Sequence, residues 1–342
     1  MDNFCAKDIK LVPITESATI TKISDKEYFS ASYADFISNS KLGLINPAQG
    51  GSWDKFNGGF GNNIITSDSL IIGSAVHEQI LQPELFALCE DFDRPTSKLG
   101  YVADLCYEKS FEGEMVSDEV LSLMAQKCDY YKGDISKFKK FKQIIADYIK
   151  NRWEYEQKLP ADVEGIYLHS KQLSTVKGCI DSLNNNPIVC DLLHPTDLAG
   201  QPLPSYNEHA IMMNLIAEFP DGSQEVLKLK AKLDNFTFDA FTGQVVINDV
   251  KTTSRFCADF KDGFDQFHYY REFGMYGLLL LNLLKNQEKS ISNLTGNCLV
   301  VETTTSAHDS SVFQVTPEMF AKGLKEASYL LKLIAYYRHA GK

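Results

Sequence analysis

The sequence has no apolar run long enough to span a bilayer: the longest, near Gly277–Leu284, is short and flanked by polar residues. It has no paired cysteines either. The eight (Cys5, Cys89, Cys106, Cys128, Cys179, Cys190, Cys257, Cys298) contain no C-x-x-C, and the nearest two, Cys179 and Cys190, are eleven residues apart. That spacing excludes a zinc ribbon and a clustered iron–sulfur site, and it fits reduced thiols. A glycine-rich phosphate loop, an internal repeat and a low-complexity tract are all lacking. So is an excess of positive charge: 34 Lys and Arg stand against 45 Asp and Glu, a formal net charge of −11. A chain so acidic cannot wrap nucleic acid with its whole surface, so any nucleic-acid site must be a focused one. Met1–Lys10 carries Asp2, Lys7, Asp8 and Lys10 without an apolar core, which reads as no secretion signal and a cytoplasmic chain without a membrane span. What is present is an ordinary globular composition, 44% hydrophobic and 23% charged over 342 residues, enough to bury a full core without staples.

The pattern along the chain predicts an α/β (α+β) fold with a mixed central sheet. Residues 1–66 read as an irregular N-terminal arm, polar or glycine-rich at Pro47–Gly51 and Asn57–Asn63, with a short helix over Ser30–Leu44 that ends before Pro47. Residues 67–342 read as the main domain. Ser67-x-Ser69 opens a helix over Leu70–Leu81 that stops before Pro83 and places Gly73, His77 and Leu81 on one stripe. Residues 96–160 read as a helical insertion, with a basic turn at Lys137–Lys142, and Ile188–Leu193 as a short helix. Strands are predicted at Glu208–Phe219, Val226–Phe238 and Gln244–Thr252, with turns at Asp221-Gly222 and Thr242-Gly243. A long helix at about Phe264–Leu284, strands at Asn297–Thr303 and Ser311–Val315, and a helix over Pro317–His339 complete the pattern.

The segment that carries chemistry is Lys232-Leu233-Asp234 followed by Ile247-Asn248-Asp249-Val250-Lys251-Thr252-Thr253. Asp234 and Asp249 are fifteen residues apart across the Thr242-Gly243 turn, so a hairpin can bring both carboxylates to one end of a sheet. Asp249 and Lys251 are two apart on one strand and share a face. Two acids and a lysine on one face suit a hard cation such as magnesium, with the lysine positioned for a water or a phosphoryl oxygen. By itself D-x-K also fits a surface ion-pair ladder. The buried-looking Val245-Val246-Ile247 run before it favours a site, because charges at the end of such a strand are costly unless paired or metal-bound.

These residues, with others, resemble the PD-(D/E)XK nuclease superfamily, in particular its exodeoxyribonuclease VIII-like branch of phages and prophages. Ile37-Ser38-Asn39-Ser40-Lys41-Leu42 is similar to that branch's S-x-S-x-L element, and Ile72–Phe86, with His77, to its G-x-x-x-H helix. Asn207-Glu208 opens the strand that usually carries a further acid. Leu233-Asp234 resembles the first motif aspartate, with Lys-Leu in place of the usual preceding residues, and Asp249–Thr253 resembles the D-x-K-T-T core. Phe267–Tyr276 resembles a helix that normally reads Y-x-x-Q-x-x-x-Y, with Glu272 where the glutamine is expected and Gln266 six residues earlier.

The resemblance implies a restriction-endonuclease-like core and a magnesium-dependent exodeoxyribonuclease, with manganese as a substitute, resecting 5′-ended strands at duplex DNA ends. Asp234, Asp249 and the Val250 carbonyl would hold metal with His77. Lys251 would position the attacking water, and Glu208 would serve a second metal or its water. Tyr276, Glu272, Gln266, Thr252 and Thr253 are candidate DNA contacts. A single-strand annealing recombinase as partner and a homo-oligomeric ring are further implications. The alternatives are a catalytically silent DNA-end or partner-binding scaffold, and a helicase- or CRISPR-associated nuclease of the same superfamily. The scattered cysteines disfavour the last.

Overall fold

Strand and helix periodicity place most elements where the residues lead one to expect them. The computed structural model describes residues 5–59, 67–90, 92–130, 139–197 and 199–341. In chain order the elements are β1 (Lys10–Lys22), α1 (Asp25–Tyr28), α2 (Asn39–Ile45), α3 (Trp53–Gly58), α4 (Asp68–Leu81), β2 (Phe86–Leu88), α5 (Ser97–Tyr107), α6 (Asp118–Lys127) and α7 (Lys139–Glu156). There follow β3 (Glu164–Ile166), α8 (Ser170–Asn184), α9 (Pro187–Leu193), β4 (Ser205–Glu218), β5 (Gln224–Asp239), β6 (Gln244–Thr253), α10 (Phe260–Gln266), α11 (Tyr269–Asn286), β7 (Asn293–Glu302), β8 (Ser310–Val315) and α12 (Pro317–His339). Among the described residues no helix is long and apolar enough to cross a membrane.

Two units divide the chain: Met1–Gly61 with Leu183–Glu302 and Asp309–Lys342, and Asn62–Ser182 with Thr303–His308. This departs from an arm at 1–66 and an insertion at 96–160. The arm is not irregular, because β1 pairs antiparallel with β4 along Lys10–Lys22, with a register shift between Ile14 and Thr19. Interruption of the alternation by Pro13 and that shift hides a strand whose pairing is long-range. The helix expected over Ser30–Leu44 is shorter: α2 begins only at Asn39 and runs to Ile45, because Ser38 caps it by accepting from the Lys41 N–H. The residues expected to be glycine-rich at 57–63 lie partly outside the described residues, as does the basic turn, of which 137–138 are undescribed and Lys139–Lys142 open α7.

The first unit holds a six-stranded sheet in the order β1-β4-β5-β6-β7-β8, antiparallel except for the parallel pair β6/β7. A parallel pair needs a crossover, and α10 and α11 supply it. One sheet face contributes Leu233's neighbours Phe236, Phe238, Val245 and Ile247 to a core shared with Phe273, Leu280 and Leu284 of α11 and Leu331 of α12. On the opposite face an asparagine ladder crosses four strands. The Asn297 amide donates to Asn248 Oδ1 at 3.0 Å, Asn248 donates to Asn235 Oδ1 at 2.8 Å and to the Leu192 carbonyl at 2.9 Å, and Asn235 donates to Asn207 and Ser205. Buried amides are tolerable there because each finds a partner.

The expected single helix at Phe264–Leu284 is two helices. Phe267 ends α10, and His268, in the left-handed region at φ 56°, turns the chain into α11. Periodicity alone does not show this break, since apolar spacing runs through it. The α11/α12 contact is backbone on backbone. A Cβ on Gly323 would lie 1.7 Å from the Tyr270 carbonyl oxygen, and one on Gly274 would lie 2.3 Å from the Leu324 nitrogen.

In the second unit, α5, α6 and α7 enclose their own core of Val102, Cys106, Leu121, Met124, Ile145 and Ile149, and β2 pairs parallel with β3. The buried Arg94 guanidinium is tied to Asp104 at 2.6 Å. Helix α4 begins as expected, with Ser67 accepting from the Leu70 N–H. Helix α8 has no counterpart in the sequence reading, because its polar start, Ser170-Lys171-Gln172, carries no apolar stripe.

Gly323→Ala should therefore destabilise the protein by at least the roughly 1–3 kcal/mol of an overpacked core, read as a lower urea midpoint. Gly58→Ala, where an added Cβ meets nothing within 4 Å, should leave the midpoint nearly unchanged.

Candidate metal and acid site

Strand parity builds the site. The β5/β6 ladder pairs Asn235 with Asn248 and Phe236 with Ile247, so one further step sets Asp234 beside Asp249, with Lys251 two residues on and on the same face. In β6/β7, Asp249 lies opposite Cys298. In β4, Asn207 and His209 pair with β5 while Glu208 between them adopts φ 56°, a left-handed conformation that costs an L-residue about 1–2 kcal/mol. A carboxylate oxygen of Glu208 lies within 4.8 Å of one of Asp234. Helix α11 covers the cluster with Tyr269, Glu272 and Tyr276, which are spaced to share one side of a helix.

The contacts form a chain. Asp234 Oδ2 accepts from the Val250 N–H at 2.8 Å. The Lys251 ammonium lies 2.7 Å from Asp249 Oδ2, 3.2 Å from Glu272 Oε2 and 4.7 Å from the centre of the Tyr269 ring. The Tyr276 hydroxyl donates to Glu272 Oε1 at 3.0 Å. Lys232 bridges Glu208 at 2.5 Å and Asp25 at 2.6 Å. Asp249 is 1% exposed; its Oδ2 lies 2.7 Å from the Lys251 ammonium, while its Oδ1 has no hydrogen-bond partner.

Electrostatics agree with the geometry. Burial, and then the Glu208 charge, push the Asp234 carboxyl up, against the opposing pull of Lys251 and the Val250 N–H. Burial also drives Asp249 well above the usual carboxylate range despite Lys251, with Asp234 and Glu272 adding to the rise. Burial alone would lower Lys251, but Asp249, Glu272 and Asp234 outweigh it and hold the ammonium well above its ordinary value. Glu208, Asp234, Asp249 and Glu272 against Lys232 and Lys251 leave two negative charges uncompensated at full ionisation. A hard divalent cation matches both that deficit and the unbonded Oδ1 of Asp249.

The structure thus brings together Glu208, Asp234, Asp249, Val250, Lys251 and Glu272. His77 lies on α4 of the second unit, half-buried beside Val76. Tyr276, expected as a DNA contact, is buried with its hydroxyl on Glu272, so it holds that carboxylate instead of facing a strand. Gln266 lies away from Lys251's carboxylates and accepts from Arg255 at 2.6 Å, and Thr252 and Thr253 are half-buried at the end of β6. Two residues join the site beyond those expected from the sequence: Tyr269, and Lys232, whose ammonium neutralises Glu208. The i, i+3, i+7 spacing of Tyr269, Glu272 and Tyr276 was the available signal.

No family model matches the chain, and no curated protein sequence does. Among solved structures, a crystal structure named "Putative exonuclease" from Eubacterium rectale is similar at a TM-score of 0.48 and 11% identity, covering 94% of this chain and 88% of that one. A likeness of that size transfers no activity and no residue roles.

Because the folded acids hold protons that the unfolded chain releases, metal-free stability should fall as pH rises from the ordinary carboxylate range through their raised values. In chelator, Asp249→Asn should melt at or above wild type at pH 8, with the gap closing at pH 5. Lys251→Met should melt lower, by about 3 kcal/mol at pH 8 and less at pH 5. Thermal denaturation at both pH values checks the two signs.

Proposed function

We propose that this protein is a divalent-metal-dependent deoxyribonuclease that hydrolyses phosphodiester bonds at duplex DNA ends. The observation that carries the reading is Asp249, a buried carboxylate whose Oδ1 has no hydrogen-bond donor, set beside Asp234 and a buried lysine. Asp234, Asp249 and the Val250 carbonyl would hold magnesium or manganese, with Glu208 serving a second ion or its water. The resemblance adds His77 to this set. When bound, the metal supplies Lewis-acid polarisation of the phosphate and a more acidic water.

The chain's own residues do the rest. The Val250 N–H fixes the Asp234 carboxylate. Lys251 stays charged, so its ammonium can orient a water and meet the negative charge that develops on a phosphoryl oxygen. Glu272, itself held by Tyr276, keeps that ammonium in place where the related pattern has a neutral glutamine. Resection of the 5′-ended strand, assembly into a ring and service to a single-strand annealing recombinase follow from the resemblance and complete the reading. Cytoplasmic action of phage or prophage origin belongs to it as well.

Lys251→Ala should lower single-turnover cleavage at saturating magnesium by about 10²–10³ while sparing DNA binding, measured by anisotropy in calcium. Asp249→Asn and His77→Ala should instead weaken magnesium binding in calorimetry. A Lys251→Ala protein within a few-fold of wild type would favour a silent scaffold. Linear duplex should be degraded and covalently closed circles spared, in a reaction stopped by chelator, with binding falling steeply as salt rises. Rapid cutting of closed circles would replace the end-specific reading with an endonuclease.

A further inference from the structure

The break between α10 and α11 sets an aromatic ring at the edge of the site. His268 takes the left-handed conformation without being glycine or asparagine, and it is held there: its Nδ1 lies 2.8 Å from Glu326 Oε1, and the neighbouring Tyr270 hydroxyl donates to Glu326 Oε2 at 2.8 Å. Arg271, buried beside them, donates to the same Glu326 carboxylate at 3.1 Å and to Asn39 at 2.8 Å. Strain of this kind persists only where the surroundings over-determine it. Its effect is to send two adjacent rings different ways. Tyr269 turns inward, half-buried under the Lys251 ammonium. Phe267 turns outward and is 53% exposed, its ring centre 5.8 Å from that of Tyr269. Rings thus lead from the catalytic lysine to solvent in two steps, 4.7 Å and then 5.8 Å.

Gln266, next to Phe267 in the chain, accepts from the exposed Arg255 guanidinium at 2.6 Å, and Arg255 is followed by Phe256, 63% exposed. Exposed aromatics beside a cation, within a nucleotide or two of the reacting phosphate, form the pairing that binds single-stranded nucleic acid: a π-face for a base and a charge for the backbone. A surface so acidic overall makes a local pairing of this kind the more telling.

We propose that Phe267 is the platform on which a nucleobase next to the scissile phosphate stacks once the duplex end is opened, with Arg255, held by Gln266, on the adjacent phosphate. This rests on the nuclease reading and names the part of the substrate that the site's edge recognises. Phe267 is a binding residue and takes no part in bond breaking. Its removal should therefore raise KM and Kd, with the main loss outside the chemical step.

The experiment compares wild type, Phe267→Ala and Phe267→Trp on linear duplexes ending either in a normal nucleotide or in an abasic one. Affinity is measured by anisotropy in calcium, and cleavage by single turnover in magnesium. Wild type should bind the abasic end about tenfold more weakly, Phe267→Ala should bind both ends at that weaker level, and Phe267→Trp should restore the preference. Equal affinity of wild type for both ends would overturn the stacking role, as would a Phe267→Ala protein that keeps the preference. A change confined to sedimentation would make Phe267 a contact between copies and overturn it likewise. If wild type neither binds nor cuts DNA, the nuclease reading itself falls, an outcome distinct from normal cleavage by an indifferent Phe267→Ala.

Discussion

Burying Asp249 between the end of β6 and helix α11 imposes a condition that the surrounding residues answer. A carboxylate removed from water, with one oxygen lacking a donor and a second carboxylate nearby, is tolerated only if a cation stands close or a proton is taken up. Lys251 supplies one positive charge and is itself held by Glu272, which Tyr276 anchors from the same helix. With its acids ionised, the cluster still falls short of neutrality. On the metal-dependent reading proposed above, a bound cation would supply that missing charge and give the site its binding capacity. Stability is given up locally for that capacity, a common exchange at functional sites.

Helix α11 is the element on which site and core both depend. Its one side carries Tyr269, Glu272 and Tyr276 over the acids, while Phe273 and Leu280 fill the core and Gly274 lets α12 approach to backbone contact. Gly323 on α12 completes that approach. Glu326 on the same helix fixes the strained turn before α11 through His268 and Tyr270. The position of Glu272 against Lys251 is thus set by two glycines and a carboxylate that lie outside the site. On the sheet's opposite face the asparagine ladder joins β5, β6 and β7 through side chains as well as backbone, and this stiffens the strands that carry Asp234 and Asp249.

The two-residue period of a strand made the face shared by Asp249 and Lys251 legible, and the turn at Thr242-Gly243 made their meeting with Asp234 legible. Both are local rules, and the β5/β6 hairpin obeys them. The strands β4 to β8 and the last helix were readable for the same reason. Strand β1 was not, because nothing within Lys10–Lys22 announces a partner some two hundred residues away. Nor was the break at His268, where a histidine is held left-handed by Glu326 and Tyr270 instead of by its own backbone preference.

The sequence by itself determined which acids and which lysine could meet, because their spacing fixes them to one sheet face whatever packs above. It also determined that the chain could enclose a full core and could not coat nucleic acid broadly, since both follow from composition. Tertiary structure alone decided that Asp249 Oδ1 is left without a hydrogen-bond donor, that the Tyr276 hydroxyl is spent on Glu272, and that Phe267 points outward. Those outcomes depend on how closely α11 approaches the sheet and on which side chains it buries, and no periodicity along the chain encodes the distance between two elements that meet only when folded.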